Sequence, residues 1–90
     1  MIEVKTLQYF VTCAEVKSFS KAADVLSTTQ LDIKNEIKIF ENQMGFSVFA
    51  RTEDGLELTC KAQSIYVYAY QALENVSQII AYAEGEKIEK

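Results

Sequence analysis

The chain contains no histidine and only two cysteines, and each scarcity limits the kinds of catalytic, metal and disulfide site that it can form. Without histidine, Ser–His–Asp and Cys–His catalysis and histidine-containing zinc sites are excluded. Cys13 and Cys60 lie far apart without spaced partners, which favours reduced, partly buried thiols over a disulfide. No carboxylate pair stands in a pattern typical of a cleft, so we expect no enzyme, no cofactor and no metal site.

Long apolar runs and a basic leader are also missing. The first five residues contain no basic region followed by an apolar run, so no signal peptide is predicted. Polar side chains interrupt each apolar stretch well before a bilayer's thickness, so we expect no membrane span and a soluble, cytoplasmic protein. Ninety residues, 49% hydrophobic and 24% charged, fit one small globular domain.

The formal net charge of -4 is unevenly distributed along the chain. Residues 1–52 carry six basic and six acidic side chains, whereas residues 53–90 carry three basic and seven acidic ones. The acidity therefore lies mainly in the C-terminal part. A neutral N-terminal part is nevertheless not the basic patch that phosphate binding usually requires.

Apolar residues at helical spacing predict three helices in the first half of the chain. The first extends from about residue 4 to 17, and the second, capped by Ser20, covers residues 22–26. Thr29 caps the third helix with Asp32 in a capping-box position, and Gly45 ends it. The apolar positions of the first and third helices are Leu7, Phe10, Val11, Ala14, Ile33, Ile37, Phe40 and Met44.

The pattern changes after residue 46. Two short alternating segments flank Glu53-Asp54-Gly55, and an Asp-Gly turn between such segments predicts a β-hairpin, since both central residues tolerate positive φ. Thr59 can cap a fourth helix that runs to about residue 84. Its apolar positions are Ala62, Ile65, Ala69, Leu73, Val76, Ile80 and Ala83. We therefore divide the chain into a domain at 1–59, a linker helix at 60–84 and a hinge or frayed tail at 85–90.

Two short helices joined by a tight turn, with a Ser/Thr-rich cap before the second, are typical of a helix-turn-helix. The predicted fold is mainly α: a winged helix-turn-helix of three helices and a short β-hairpin wing, followed by a long C-terminal helix. In this geometry the N-terminal turn of the third helix enters the major groove of DNA. The hairpin would lie beside the phosphate backbone or the minor groove.

The residues themselves carry a more specific signal. The runs Leu7-Gln8-Tyr9-Phe10-Val11 and Ser18-Phe19-Ser20-Lys21-Ala22-Ala23, then Leu26 and Gln30, resemble the N-terminal DNA-binding domain of LysR-type transcriptional regulators. The similarity continues without a gap through Ile37, Glu41, Gly45, Val48-Phe49-Ala50-Arg51-Thr52 and Leu58-Thr59. It implies a dimer that binds duplex DNA sequence-specifically, and an effector-binding domain in a longer parent protein. Because Gly85 falls about where the hinge to such a domain is expected, we favour an N-terminal fragment over a naturally truncated relative.

Carried over by position, the resemblance implies eight DNA-contacting residues: Ser20, Thr29, Gln30, Leu31, Lys34, Asn35, Lys38 and Arg51. Ser20 would face a phosphate, and Arg51 would lie at the base of the wing. Plainer roles stay open, because Thr29 can act only as a cap and Gln30 can be a solvated helix residue. Lys34 and Lys38, one turn apart, can equally form an exposed face.

The resemblance also implies that the linker helices of two subunits pair antiparallel. Tyr66, Tyr68 and Tyr70 add a second apolar side to this helix, which can pack on the domain's own core. Because so small a domain cannot cover so long a helix, we expect a homodimer. The expected contact residues are Ile65, Ala69, Leu73, Val76 and Ile80.

The sequence departs from the family pattern where DNA would be touched. Leu31 replaces a common proline, Asp32 a small residue, and Lys34-Asn35-Glu36 a common Ser-Arg-Gln. The wing carries the acidic residues Glu53, Asp54 and Glu57. An acid that faces a phosphate opposes binding. The competing hypothesis is therefore a protein-interaction module of the same fold that dimerises through its long helix but has lost strong DNA binding.

Overall fold

The computed structural model describes residues 2–85, which form four helices and one two-stranded sheet. The elements in chain order are α1 (Val4–Val16), α2 (Phe19–Leu26), α3 (Gln30–Met44), β1 (Phe49–Thr52), β2 (Gly55–Leu58) and α4 (Cys60–Ala83). This order confirms the predicted winged helix-turn-helix with a long helix after it. The predicted tail lies outside the described residues, apart from Gly85.

The core lies where α1, α3 and the first half of α4 meet the hairpin. Phe10 and Phe40 are fully buried, and their ring centroids lie 5.0 Å apart. The ring centroid of Phe49 in β1 lies 5.6 Å from that of Phe10. Full burial of such side chains stabilises the fold by about 1.5–3 kcal/mol each. Ala22 and Ala23 are the buried residues of α2, and their small side chains let this helix approach its neighbours closely.

The N-terminus of α2 differs from the prediction. Ser18, not Ser20, is the N-cap, because its extended backbone precedes the helix and its Oγ accepts a hydrogen bond from the Lys21 N–H at 3.1 Å. Both serines offer the same capping chemistry. Phe19 decides between them, since its side chain packs against the core and the helix therefore includes it. Ser20 is consequently an exposed residue of the first turn.

The termini of α3 and α4 follow the prediction. The Thr29 Oγ accepts from the Asp32 N–H at 3.1 Å, and Gly45 ends α3 with a φ of 85°. At the start of α4, the Thr59 Oγ accepts from the Ala62 N–H at 3.4 Å. The same hydroxyl donates to the Ser47 carbonyl at 2.7 Å, which ties the start of α4 to the segment before the hairpin.

The hairpin turn lies one residue earlier than predicted. Thr52 pairs with Gly55, so Glu53 and Asp54 are the central residues, and neither has a positive φ. Gly55 has a φ of +121°, and a Cβ there would collide with the Lys17 carbonyl oxygen. That oxygen accepts a hydrogen bond from the N–H of the next residue, Leu56, at 3.0 Å. The positive φ of Gly55 and the close approach of the hairpin to the end of α1 therefore both require glycine.

Helix α4 packs on the domain through its N-terminal part, as far as Leu73. Ala62 and Ala69 are buried, whereas Ile79, Ile80 and Tyr82 near its end are exposed. Within residues 2–85, no helix is both long enough and apolar enough to cross a bilayer.

The two cysteines are free thiols that lie in different environments. Cys13 is buried in the core, and burial raises the pKa of its thiol to about 12. Cys60, the first residue of α4, is exposed, so the expectation of partial burial is wrong for this side chain.

Replacing Gly55 with alanine should destabilise the domain by about 2 kcal/mol or more, because the new Cβ both strains the backbone and meets the Lys17 carbonyl. Urea unfolding followed by circular dichroism measures this change. Gly45→Ala is the matched control, since Gly45 has a positive φ of 85° but nothing within 4 Å of the added Cβ. Equal losses in the two variants would contradict the close-approach explanation.

Candidate nucleic-acid interface

The predicted contact residues of α3 form one exposed face of this helix. Their side chains are all exposed, and they lie on one flank of α3 beside the stripe that faces the core. The face comprises Gln30, Leu31, Lys34, Asn35 and Lys38. Leu31 keeps 69% of its surface exposed. The structure thus brings five of the eight predicted contacts together on the side of α3 that is free to meet a ligand.

Asp32 lies on a different flank of α3, the one that faces α1. Its Oδ2 accepts a hydrogen bond from the Tyr9 hydroxyl at 2.7 Å and another from the Thr28 hydroxyl at 2.8 Å. The Tyr9 hydrogen bond, followed by that from Thr28, holds the pKa of the Asp32 carboxyl below its usual value. The bond to Asp32 is also the main reason that the pKa of Tyr9 is raised. The Asp32 carboxylate, which the sequence predicts to complete a capping box, therefore binds a side chain of α1 and one of the turn before α3 instead.

Glu36 follows Asp32 by one turn on the same flank. Its Oε1 accepts from the Thr6 hydroxyl at 3.2 Å, and its Oε2 lies 3.7 Å from the Lys5 Nζ. The Lys5 side chain is 50% exposed, so this ion pair adds little stability. It does balance the charge of Glu36 on the side of α3 that faces α1. Asp32 and Glu36 are thus turned away from the exposed face of α3 that carries the predicted contacts.

The hairpin brings a further cation to this interface. Arg51 of β1 lies with its guanidinium carbon 5.6 Å from the ring centroid of Phe19, and the Lys34 Nζ lies 5.7 Å from the same centroid. Ser20, Gln30 and Arg51 line a cleft of about 210 Å³ between α2, α3 and the hairpin. Lys34, Lys38 and Arg51 line a second cleft of about 200 Å³. Predicted contact residues from α2, α3 and β1 therefore lie around the same two clefts.

The acidic residues of the hairpin also depart from the family pattern, but their side chains remain exposed. Glu53 and Asp54 at the hairpin tip are exposed, and so is Glu57 of β2. Thr29 has a structural role as the cap of α3, and its side chain remains exposed. The three acids of the wing can consequently still oppose a polyanion.

The residues expected in a dimer seam divide into two groups. Ala69 is buried in the domain's own core, and Ile65 and Leu73 pack against that core. Val76 is half-buried, and Ile80 is 50% exposed. The apolar surface that α4 leaves open lies towards its C-terminal end, and it includes Ile79 and Tyr82, which sequence reasoning did not select.

Acidification should remove the stability that the Asp32 network provides. Because the folded-state pKa of Asp32 is lowered, its contribution is present above its unfolded pKa and is lost as the pH falls through the folded value. Wild type should therefore exceed Asp32→Asn in urea midpoint at pH 7, and the difference should shrink below about pH 4.

Tyr9→Phe should reduce the effect of Asp32→Asn on the urea midpoint, because it removes the main donor to the carboxylate. Glu53→Gln removes a carboxylate from the exposed hairpin tip and serves as the matched control. A wild-type advantage over Asp32→Asn of equal size at pH 3 and pH 7 would rule out this linkage.

Comparison with known proteins gives a family for this arrangement. The model described as bacterial regulatory helix-turn-helix protein, lysR family, matches residues 4–63. The HTH-type transcriptional regulator BenM of Acinetobacter baylyi is 32% identical over 80 residues, which are 89% of this chain and 26% of BenM. AlsR of Bacillus subtilis, another HTH-type transcriptional regulator, is 34% identical over 83 residues, 92% of this chain and 28% of AlsR. The chain thus spans about a quarter of the length of these relatives.

The fold is also similar to that of a solved DNA complex. In the crystal structure of the BenM DNA-binding domain with benA site 1 DNA, the protein superposes with a TM-score of 0.85 and 31% sequence identity. The match covers 92% of this chain and 93% of that one, so it includes both the winged domain and most of α4.

Proposed function

We propose that this chain, which belongs to the lysR family of bacterial regulatory helix-turn-helix proteins, binds duplex DNA sequence-specifically as part of a transcriptional regulator. The observation that carries the proposal is the division of charge on the first three turns of α3. Lys34 and Lys38 lie on its exposed face, whereas Asp32 and Glu36 are bound to side chains of α1 and of the preceding turn.

The chemistry of the exposed face suits base readout in the major groove. Gln30, at the first position of α3, has the donor and acceptor that pair bidentately with adenine. The neighbouring Leu31 presents an apolar surface of the kind that contacts a thymine methyl group. Asn35 adds a second amide, while the lysines and Arg51 supply phosphate contacts that fix the register of the helix.

The similarity to the BenM domain supports this assignment, since that domain was crystallised with DNA and shares the fold over nearly all of this chain. A cytoplasmic location and the absence of catalysis accompany the proposal, because the curated relatives are transcriptional regulators. An effector-binding domain in a longer parent protein accompanies it too, because the chain matches only about a quarter of each relative.

The alternative is a protein-interaction module of the same fold without strong DNA binding. The exposed acids Glu53, Asp54 and Glu57 favour it, because they lie on the wing, where phosphates would approach. Under this alternative the chain would pair with another regulator through α4 and inactivate it.

Selection from a large randomised duplex pool at about 50 mM salt should enrich specific sequences, and binding to them should weaken steeply as salt is raised. Lys34→Ala and Lys38→Ala should each reduce the slope of log K against log salt by about 0.9 for every phosphate that the lysine neutralises. Fluorescence anisotropy with the selected duplex at several salt concentrations measures both effects.

Lys61→Ala is the matched control, since it removes an exposed lysine from the first turn of α4, where its Nζ lies 5.4 Å from the Phe46 ring centroid rather than at the clefts. Gln30→Ala should instead relax sequence preference while leaving the salt slope unchanged. If no duplex is enriched, the interaction module becomes the better description.

The proposal also includes a homodimer that pairs through α4. The support is the exposed apolar surface of Ile79 and Ile80, which continues the stripe of Val76 beyond the end of the domain. A two-fold contact between identical helices would bury this surface on both copies. Ile65, Ala69 and Leu73 would then support the seam from within each domain, because they hold α4 against the core.

Ile80→Glu should weaken the dimer by at least about tenfold, because it places a charge in the apolar seam. Gln78→Glu is the matched control, since Gln78 is also exposed but lies on the opposite side of α4. Light scattering across concentrations measures the mass of each variant. A wild-type monomer mass that persists from millimolar to micromolar concentration would refute the dimer.

A further inference from the structure

Phe19 occupies the junction between the two clefts of the candidate interface. It lines both of them, as do Arg51 and Leu56. Its ring is partly buried and meets Phe49 edge-on, with centroids 6.5 Å apart and an interplanar angle of 89°. Phe49 in turn lies 5.6 Å from the fully buried Phe10. The ring at the surface is therefore anchored to the centre of the core.

Two cations from different elements converge on this ring. The Lys34 Nζ reaches it from α3, with 5.7 Å to the centroid, and the Arg51 Cζ reaches it from β1, with 5.6 Å. Strand geometry explains the second contact, because residues two apart on a strand share a face and Phe49 therefore shares one with Arg51. A cation within about 6 Å of a ring centroid is attracted by the quadrupole of the ring.

This convergence has a physical consequence for binding. Lysine and arginine have long side chains that lose rotamer freedom when a ligand fixes them. A ring that already attracts both cations reduces this loss and holds two positive charges beside the same clefts. The nearby Glu41 lines the second cleft, but its Oε2 accepts a hydrogen bond from the Val48 N–H at 2.9 Å. The carboxylate of Glu41 is thus also hydrogen-bonded within the domain, in this case to a backbone N–H.

We propose that Phe19 is a positioning residue for DNA binding, which holds Lys34 and Arg51 where they contact backbone phosphates. The inference rests on the proposed function and adds a role to a residue that sequence reasoning used only as part of a family motif. Phe19 acts through the two cations and itself makes no contact with a base.

Phe19→Leu and Phe19→Tyr separate the role of the ring from that of its bulk. Leucine keeps an apolar side chain against Phe49 but has no π face, whereas tyrosine keeps the ring and can direct its hydroxyl to solvent from this partly buried position. With a duplex selected by the wild-type protein, Phe19→Leu should bind about threefold to tenfold more weakly. Phe19→Tyr should stay within about twofold of wild type.

A double-mutant cycle tests whether the effect passes through the cations. In a Lys34→Ala background, the loss caused by Phe19→Leu should become smaller, because one of the two positioned charges is already absent. A purely structural role of Phe19 would give the same loss in both backgrounds. Thermal melting of each variant identifies any loss that arises from unfolding.

Ring-current shifts provide a measurement that needs no DNA. In proton NMR spectra, the Lys34 ε-methylene and Arg51 δ-methylene signals should be shifted upfield in wild type and Phe19→Tyr, and should return to ordinary positions in Phe19→Leu. Persistence of the shifts in Phe19→Leu, or wild-type affinity of that variant, would overturn this inference and leave the proposed function standing. If wild type binds no duplex, the proposed function fails, and the positioning role fails with it.

Discussion

Phe10 is fully buried between Phe40 of α3 and Phe49 of β1, and this aromatic contact orients two elements that present candidate functional side chains. Through Phe40 it fixes the rotation of α3, and hence which residues of that helix face outward. Through Phe49 it fixes the face of β1 that carries Arg51. Tyr66 of α4 lies 6.4 Å from the same ring, so the long helix is attached at this point as well. Since interiors are close-packed, a change at Phe10 would be felt at all these surfaces.

The net charge of the chain is a poor guide to the electrostatic potential at the candidate nucleic-acid interface. At physiological ionic strength, exposed charges more than about 8 Å apart are largely screened, so local placement matters more than the total. On α3 the carboxylates of Asp32 and Glu36 are held by side chains of α1 and of the preceding turn, while the lysines remain outward. Much of the remaining acidity lies on the wing and in the C-terminal part. An acidic protein can in this way present a cationic surface on one face of one helix.

The features that could be predicted from the sequence are those with local causes. The limits of α3 and α4 follow from apolar periodicity and from the caps Thr29, Gly45 and Thr59, all of which act within a few residues. The start of α2 could not be predicted, because only the packing of Phe19 distinguishes Ser18 from Ser20. Partners of the α3 acids were missed for a similar reason, since Tyr9 and Thr6 precede them by 23 and 30 residues. The exposed residues of α3 were identified by family resemblance, whereas the position of Phe19 beneath two cations has no local signal.

The hairpin separates the residue that constrains its backbone from the residues at its tip. Gly55 alone accommodates the close approach to the end of α1, whereas Glu53 and Asp54 have ordinary negative φ values. Any L-amino acid other than proline can therefore occupy the two tip positions with little backbone strain. Selection, or a protein engineer, can thus vary the charge and length of these two side chains almost independently of folding. The wing tip is therefore a part of the domain where new specificity can evolve at little risk to stability.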